Sequence, residues 1–248
     1  MRSFMKDEVG FMSMETFEAI FAQYVPYAIK LNWRGEPLLN KNLINMIRYA
    51  KLKGVIDVAL NTNGQLLDKD MIHHLVTAGL DRLIISADGA TMKTYEAIRH
   101  GGSFEKLIKN LIRMWLLYKD IKKRPQVTIQ ACPQKENKEE IVSGIWKETY
   151  RPYADKLRLG KLHDPQGKYG FKVTQPDFCS SPWQRLTIDW EGNFCLCPGD
   201  YLKEWVLGNV HKHKIKDAWH SNAFKMIRAA LRYHGRILSP CDKCSSYC

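Results

Sequence analysis

The sequence predicts an α/β protein in which alternating strands and helices build a parallel sheet, followed by a smaller domain rich in cysteine. Two observations carry this. Five short apolar runs alternate with helical patterns through the first two-thirds of the chain, and six of the seven cysteines fall between Cys179 and Cys248. Strand–helix–strand connections are right-handed crossovers, so the strands lie parallel, in an open sheet or in a complete or partial barrel. In each of these arrangements the reactive groups belong at the carboxyl ends of the strands.

The elements follow in order. Ser13 opens a helix over SMETFEAIFAQYV, with Ser13 at the N-cap and Thr16 at N3. The runs AIKLNW (28–33), VIDVALN (55–61), RLIISAD (82–88), QVTIQAC (126–132) and KLRLGKL (156–162) are short, rich in branched residues and bounded by Gly, Pro or Asn, which makes them buried strands. Apolar residues at three- and four-residue steps predict helices over 40–52, 68–78, 91–98, 103–118 and 138–150. The segment 163–177 carries Gly and Pro and little periodicity. The division is therefore 1–165, a linker at 166–177, and 178–248 with short strands and a helix around Lys216 to Tyr233.

The 248 residues are 45% hydrophobic and 26% charged, enough to bury a core and incompatible with a disordered segment. No apolar run is long enough to span a bilayer, and Asp7 and Glu8 interrupt the start where a signal peptide needs an apolar stretch. The expectation is a cytoplasmic protein with no membrane partner. A net charge of +12 favours anionic partners without naming one. The basic stretch from Lys106 to Arg124 reads as a solvated helix face rather than a nucleic-acid surface. In such a chain, cysteines gathered at one end suit metal ligation better than disulfides. Cys132, alone in the preceding part, is a small apolar residue on the fourth strand.

Each of the first three strands runs into a distinctive turn: Arg34-Gly35-Glu36-Pro37, Asn61-Thr62-Asn63-Gly64 and Ser86-Ala87-Asp88-Gly89. Gly35 allows close backbone approach, and Glu36 with Pro37 presents carbonyls and a carboxylate to a cationic group such as an amine. Asn63, Ser86 and Asp88 offer amide, hydroxyl and carboxylate groups suited to ribose hydroxyls or an amino acid moiety. Singly these are ordinary turns. Three in succession at one sheet edge describe a binding site.

The stretches LNWRGEPLLNKNLINMIRYAKLKG, VALNTNG and IISADGATMKTYEAIRHGGSFEKLIKNL resemble radical S-adenosylmethionine (radical SAM) enzymes with a C-terminal auxiliary-cluster domain of the SPASM or shorter Twitch kind. The resemblance runs from about Phe11 to Cys244 and implies a partial (β/α)6 TIM-like barrel, here lacking its first strand, followed by a small α+β domain. In that family a Gly-Gly-Glu-Pro turn binds the methionyl amino group of SAM. By resemblance Gly35, Glu36 and Pro37 take this role, with Arg34 replacing the first glycine. The ribose and carboxylate contacts map to Asn63, Ser86, Asp88 and Arg99, and to Gln130 on the next strand.

The tail carries the resemblance further. CSSPWQRLTIDWEGNFCLC, LGNVHKHKIKDAWHS and SPCDKC read like a Twitch domain, with a hairpin turning at Glu191-Gly192-Asn193 and a final C-x-x-C. Four thiolates are what a fully protein-bound [4Fe–4S] cluster needs. The choice is Cys179, Cys197, Cys241 and Cys244. Cys195 is the alternative to Cys197, since both face the same way along a regular strand, and Cys248 could begin a second cluster pattern. A zinc ribbon is the structural alternative for this tail.

The family is defined by a Cys-x-x-x-Cys-x-x-Cys loop after the first strand, and no cysteine precedes Cys132. Three explanations stand: a fragment, a split enzyme in which another polypeptide supplies the SAM cluster, or a relative that has lost the chemistry. The resemblance implies an oxidoreductase or modifying enzyme that uses a 5′-deoxyadenosyl radical on a peptide or small carbohydrate-like substrate. Its cofactors would be SAM and an auxiliary [4Fe–4S] cluster, with a second [4Fe–4S] only if the N-terminal segment is supplied. Its partners would be an electron donor such as flavodoxin or ferredoxin and a peptide or small-molecule substrate of anionic character. The rival is a non-catalytic iron–sulfur or zinc binding protein of the same ancestry.

Overall fold

A computed structural model describes residues 9–160 and 179–244. The predicted linker at 166–177 and Cys248 lie outside the described residues, as do Lys161 and Leu162 at the end of the fifth predicted strand. The chain divides into two compact units, one of residues 26–162 and one that joins residues 1–25 to 163–248.

In the first unit β1 (Ala28–Lys30), β2 (Asp57–Thr62), β3 (Arg82–Ser86), β4 (Gln126–Ala131) and β5 (Lys156–Leu159) form one sheet in sequential order. Every neighbouring pair is parallel. The crossovers are α2 (Leu43–Leu52), α3 (Lys69–Thr77), α4 (Met92–Ile98), α5 (Phe104–Tyr118), α6 (Lys138–Val142) and α7 (Ile145–Tyr150). Sequential parallel order with helical returns is the wall of a TIM-like barrel, one of the arrangements that the alternation allows and the one that the resemblance implies. The predicted helix over 138–150 is two helices, because Gly144 adopts φ +88 and breaks the ladder after Val142. The N-caps Asp68, Thr91 and Ser103 each accept a backbone N–H from the third residue of their helix.

The strands are not buried on both faces. Val58, Leu60, Leu83, Ile85, Val127 and Ile129 are buried against the helices. Asn61 and Gln130, which alternate with them, are only half-buried. The inner face is therefore polar, and Asp57 and Arg82 pair across it at 2.6 Å. At the opposite strand ends one device occurs twice: the Asp81 carboxylate accepts the N–H of Val58 and pairs with Lys51, and the Asp155 carboxylate accepts the N–H of Val127 and pairs with Arg124.

The second unit contains α1 (Met14–Gln23), α8 (Ser181–Gln184), β6 (Thr187–Ile188), β7 (Asn193–Cys195), β8 (Val206–Asn209), α9 (Ile215–Trp219) and α10 (Asn222–Tyr233). The three strands form an antiparallel sheet in order β6-β7-β8. Ser13 caps α1 as predicted, accepting from Thr16 N at 3.0 Å. Whereas the sequence division places α1 in 1–165, the structure groups it with the C-terminal strands. Gln23 donates to Val210 O at 2.9 Å and accepts from Ile215 N at 2.8 Å, and Ala19 and Ile20 pack on Phe194 and Val210. The helix predicted around Lys216 to Tyr233 is interrupted at His220-Ser221, where Ser221 caps α10. The predicted hairpin turn is held by Asp189, whose Oδ1 accepts from Glu191 N and Asn193 N, with Gly192 at φ +85.

Candidate functional site

The carboxyl ends of β1 to β4 bring together most of the polar residues singled out from the sequence. Gly35 takes φ +75 with nothing within 4 Å of an added Cβ, so the turn presents open backbone. The Arg34 side chain, which stands where the family pattern has glycine, folds over the Trp33 ring with its guanidinium carbon 4.0 Å from the centroid. Glu36 is committed internally. Its Oε1 accepts from Thr62 Oγ1 at 2.7 Å and from Leu38 N at 3.1 Å, and its Oε2 accepts from Asn63 N at 2.8 Å. Its carboxylate thus ties the first turn to the second, which leaves the carbonyls of the turn as the groups for an amine.

A row of side chains crosses the sheet just below these turns. Asn32 Oδ1 accepts from Asn61 N at 2.9 Å, Asn61 Oδ1 accepts from Ser86 Oγ at 3.1 Å, and Ser86 Oγ accepts from Gln130 Nε2 at 3.4 Å. The pairing of Ser86 with Gln130 in adjacent strands sets this register. Of the residues mapped as ribose and carboxylate contacts, Ser86 and Gln130 lie in this row, while Asn63 does not. Its Oδ1 accepts from Gln65 N at 2.9 Å, forming a side-chain turn at the strand end. Asn61 and Asn32 are the members that the sequence reading missed, and the signal was their shared inward parity with Ser86 and Gln130.

Asp88 and Arg99 engage one another. Arg99 Nε donates to Asp88 Oδ2 at 2.6 Å, and Cys132 N donates to Asp88 Oδ1 at 2.8 Å. The buried carboxylate thereby links the ends of β3, α4 and β4. Arg99 has five N–H donors and uses two on Asp88, so its guanidinium can also meet an anionic group. Gly89 packs against α4 so closely that a Cβ would stand 2.4 Å from Tyr95 N. Cys132 lies one residue beyond β4 and is half-buried, with its thiol pKa pushed up chiefly by burial.

In the second unit Cys179, Cys197 and Cys241 pack around the same apolar cluster of Leu196, Phe224, Ile227 and Leu231. Cys197 has its thiol pKa pushed up to about 12, mainly by burial, with the backbone N–H groups of Gly199 and Asp200 pulling down and Cys241 and Cys244 nearby pushing up. Burial and then Cys244 raise Cys241 to about 11. Cys197, Cys241 and Cys244 therefore share one neighbourhood. Among the described residues no three His, Cys, Asp or Glu side chains close around a single ion. A cubane cluster puts each thiolate on a different iron, so its ligands stand farther apart than around one zinc ion. Soft sulfurs on an apolar bed, with backbone N–H groups aimed at one of them, form a donor set that fits [4Fe–4S].

Cys195 and Cys197 do not share a regular strand. β7 ends at Cys195, which is fully buried and directs its thiol at Asn193 O, 3.7 Å away. The chain bends at Leu196, and Cys197 emerges half-buried among the other thiols.

The parallel barrel wall, the polar strand ends and the thiol-bearing small domain define a class of cofactor-dependent α/β barrel proteins. The comparisons with known proteins name the family: the Radical SAM superfamily model matches residues 14–115, and the SPASM model, an iron–sulfur cluster-binding domain, matches residues 179–245. The chain belongs to the radical SAM superfamily and carries a C-terminal SPASM domain. The two domains imply [4Fe–4S] clusters and SAM as cofactors. A probable GTP 3',8-cyclase of Saccharolobus solfataricus (strain ATCC 35092 / DSM 1617 / JCM 11322 / P2) is 39% identical over 77 residues, 31% of this chain and 25% of the relative. The match thus spans about a quarter of the length of these curated relatives. Among solved structures, BtrN in complex with AdoMet and 2-DOIA aligns over 97% of this chain and 82% of its own, with TM-score 0.63 and 18% identity. anSMEcpe with bound AdoMet and Cp18Cys peptide aligns over 95% and 79%, with TM-score 0.68 and 15% identity. At these identities the likeness is one of fold. Among the described residues no helix is long and apolar enough to cross a membrane.

Proposed function

We propose that this protein acts as a radical SAM-type oxidoreductase or modifying enzyme on a peptide or small carbohydrate-like substrate, with its auxiliary [4Fe–4S] cluster on Cys179, Cys197, Cys241 and Cys244. The observation that carries the reading is the hydrogen-bonded row Asn32, Asn61, Ser86 and Gln130 beside the Gly35-Glu36-Pro37 turn. Such a row at strand carboxyl ends, backed by an apolar wall, is a site for a ligand with several hydroxyl, amine and carboxylate groups. The solved neighbours named for peptide and 2-DOIA complexes support a substrate of either kind.

When bound, SAM would supply a 5′-deoxyadenosyl radical for hydrogen abstraction, given an electron from a second [4Fe–4S] cluster on a Cys-x-x-x-Cys-x-x-Cys segment that residues 1–248 do not contain and that a missing segment or another polypeptide would supply. The chain's own part is binding and orientation. The carbonyls of Gly35 and Glu36 hold the amino group, while the Glu36 carboxylate fixes the turn by bracing Thr62 and Asn63. Ser86, Asp88, Asn63 and Arg99 are the further cofactor-side contacts, with Arg99 offering its spare donors to a carboxylate. In the second unit the thiols give up their protons to ligate iron, and the Leu196, Phe224, Ile227 and Leu231 bed limits water. The electron donor is a small reductase-linked carrier of the flavodoxin or ferredoxin kind.

The test is iron, acid-labile sulfide and zinc per polypeptide after anaerobic purification. About four irons with matching sulfide support the cluster. One zinc and no iron overturn it. A second reading is a non-catalytic iron–sulfur or zinc binding protein of the same ancestry, for which the Cys179, Cys197, Cys241 and Cys244 thiols would serve equally. An in-frame Cys-x-x-x-Cys-x-x-Cys in the nucleotides upstream of Met1 would exclude that reading.

A further inference from the structure

The outward side of α5 departs from the solvated basic face that its sequence predicts. Leu107, Leu111, Met114 and Tyr118 turn inward and are buried, as the three- and four-residue steps require. The opposite side carries Ile112 and Leu116, 41% and 61% exposed. Trp115 and Leu117 flank them, and Ile121 follows just past the helix end, all three exposed. A surface helix normally keeps its second side polar. Single exposed leucines are ordinary, whereas large apolar side chains gathered on one face mark a binding surface.

Cations ring this spot. Lys106, Lys109, Arg113, Lys119, Lys122 and Lys123 stand along the segment, against Glu105 and Asp120. Among the described residues only Lys109 of these six has an ion pair, to Glu105 at 2.6 Å. Arg113 donates from Nη1 to Asn110 Oδ1 at 3.0 Å. From α3, Lys69 joins Lys109, Arg113 and three of the apolar side chains around an open groove that no carboxylate lines.

Charge and shape together select the occupant. A second copy would bring the same excess of cations against its own, which opposes self-association. A protein partner would need carboxylates placed opposite particular cations and a ridge cut to the groove. A plane of anionic head groups asks only for apolar tips set in a ring of long basic side chains, whose stems lie along the acyl boundary while their charged ends reach the phosphates. Ile112 and Leu116 are such tips, Trp115 stands at their rim where an indole favours the head-group level, and lysines and an arginine surround them.

We propose that the outer face of α5 binds the surface of an anionic membrane, with Ile112 and Leu116 entering the acyl boundary and Lys109, Arg113 and Lys119 meeting lipid phosphates. The protein lies on the bilayer without crossing it. One small apolar spot is a marginal anchor, so charge supplies much of the attraction and the association is reversible and weakened by salt. The proposal draws nothing from the cofactor assignment and stands or falls apart from it.

The experiment is cosedimentation of the full chain with vesicles of phosphatidylglycerol and phosphatidylcholine in equal parts, beside vesicles of phosphatidylcholine alone. The expected result is binding to the mixed vesicles at low salt, its loss at high salt, and no binding to phosphatidylcholine. Leu116→Gln should lower the partition coefficient about tenfold, the worth of one buried aliphatic side chain. Arg113→Gln should lower it about fivefold and flatten the salt dependence, the worth of one cation at a charged surface. Both residues are exposed, so each variant should keep the wild-type urea midpoint. Absence of binding to the mixed vesicles at low salt overturns the proposal and hands the face to a protein partner. Binding that neither substitution alters overturns it as well, since another basic surface then holds the membrane. So does a wild-type dimer in analytical ultracentrifugation that Leu116→Gln dissociates, which would assign the face to a second copy.

Discussion

The hydroxyl of Thr62 donates to Glu36 Oε1 at 2.7 Å, joining the turn after β1 to the end of β2. The same carboxylate takes the N–H of Asn63 through its other oxygen. The acid in this turn is therefore a strut inside the protein. Replacing Glu36 with Gln puts an amide N–H₂ against donors on one side, so one of these bonds is lost. The expected cost is about 1.5–3 kcal/mol, the range for hydrogen bonds to a charged group. It should appear as a lower urea midpoint with an unchanged slope, together with weaker SAM binding by calorimetry. A variant as stable as the wild type would show that the strut carries no load.

The bend at Leu196 separates the two neighbouring cysteines. Cys197→Ala should abolish the visible absorption of the cluster, because Cys197 sits among Cys241 and Cys244. Cys195→Ala should keep that absorption and lose some stability, since Cys195 is fully buried at the end of β7. Swapped spectra would move the ligand to Cys195.

Asp155 makes stability depend on acid. Its hydrogen bond from Arg124, and then that from Val127 N, hold its carboxyl below the ordinary value. A folded-state pKa lower than the unfolded one means that the unfolded chain takes up the proton first. The stabilisation is full above the unfolded value, near pH 4, and is lost as pH falls through the folded value. Asp155→Asn should therefore be less stable than the wild type at pH 7, with the gap closing below about pH 4. Melting temperatures across pH 7 to 3 check this. A constant gap would assign the effect to packing.

Gly89 admits no side chain. A Cβ there would stand 2.4 Å from Tyr95 N and 2.7 Å from its Cα, which are backbone atoms and cannot swing aside. Gly89→Ala should destabilise by about 3 kcal/mol, the upper end for overpacking. Denaturant titration checks it, and a loss under about 1 kcal/mol would mean that α4 slides freely on its turn.

What was legible in the sequence is what periodicity encodes. Alternation of branched runs with three- and four-residue steps places all five strands, and Ser13 marks its helix start, because both signals are local. The breaks at Gly144 and Ser221 were hidden because the apolar rhythm continues across them. At the site, Gly35, Glu36, Ser86 and Asp88 stand at the predicted edge, but Asn61 and Asn63 share one parity, and the choice between them turns on where β2 stops: Asn61 lies within it, while Asn63 lies one residue beyond and turns to Gln65 N. The Cys195 and Cys197 ambiguity has the same origin at the end of β7. The pairing of Asp88 with Arg99 and the place of α1 are tertiary facts that no spacing announces.

The position of α1 bears on the order in which this chain can be made. Gln23 leaves the ribosome long before Val210 and Ile215, the residues it bonds. The sheet segment, contiguous from 26 to 162, has β1 to β5 in hand by then. During synthesis the parallel sheet can form while α1 waits without its docking surface, and the second unit gains its strands only when the last third of the chain has emerged.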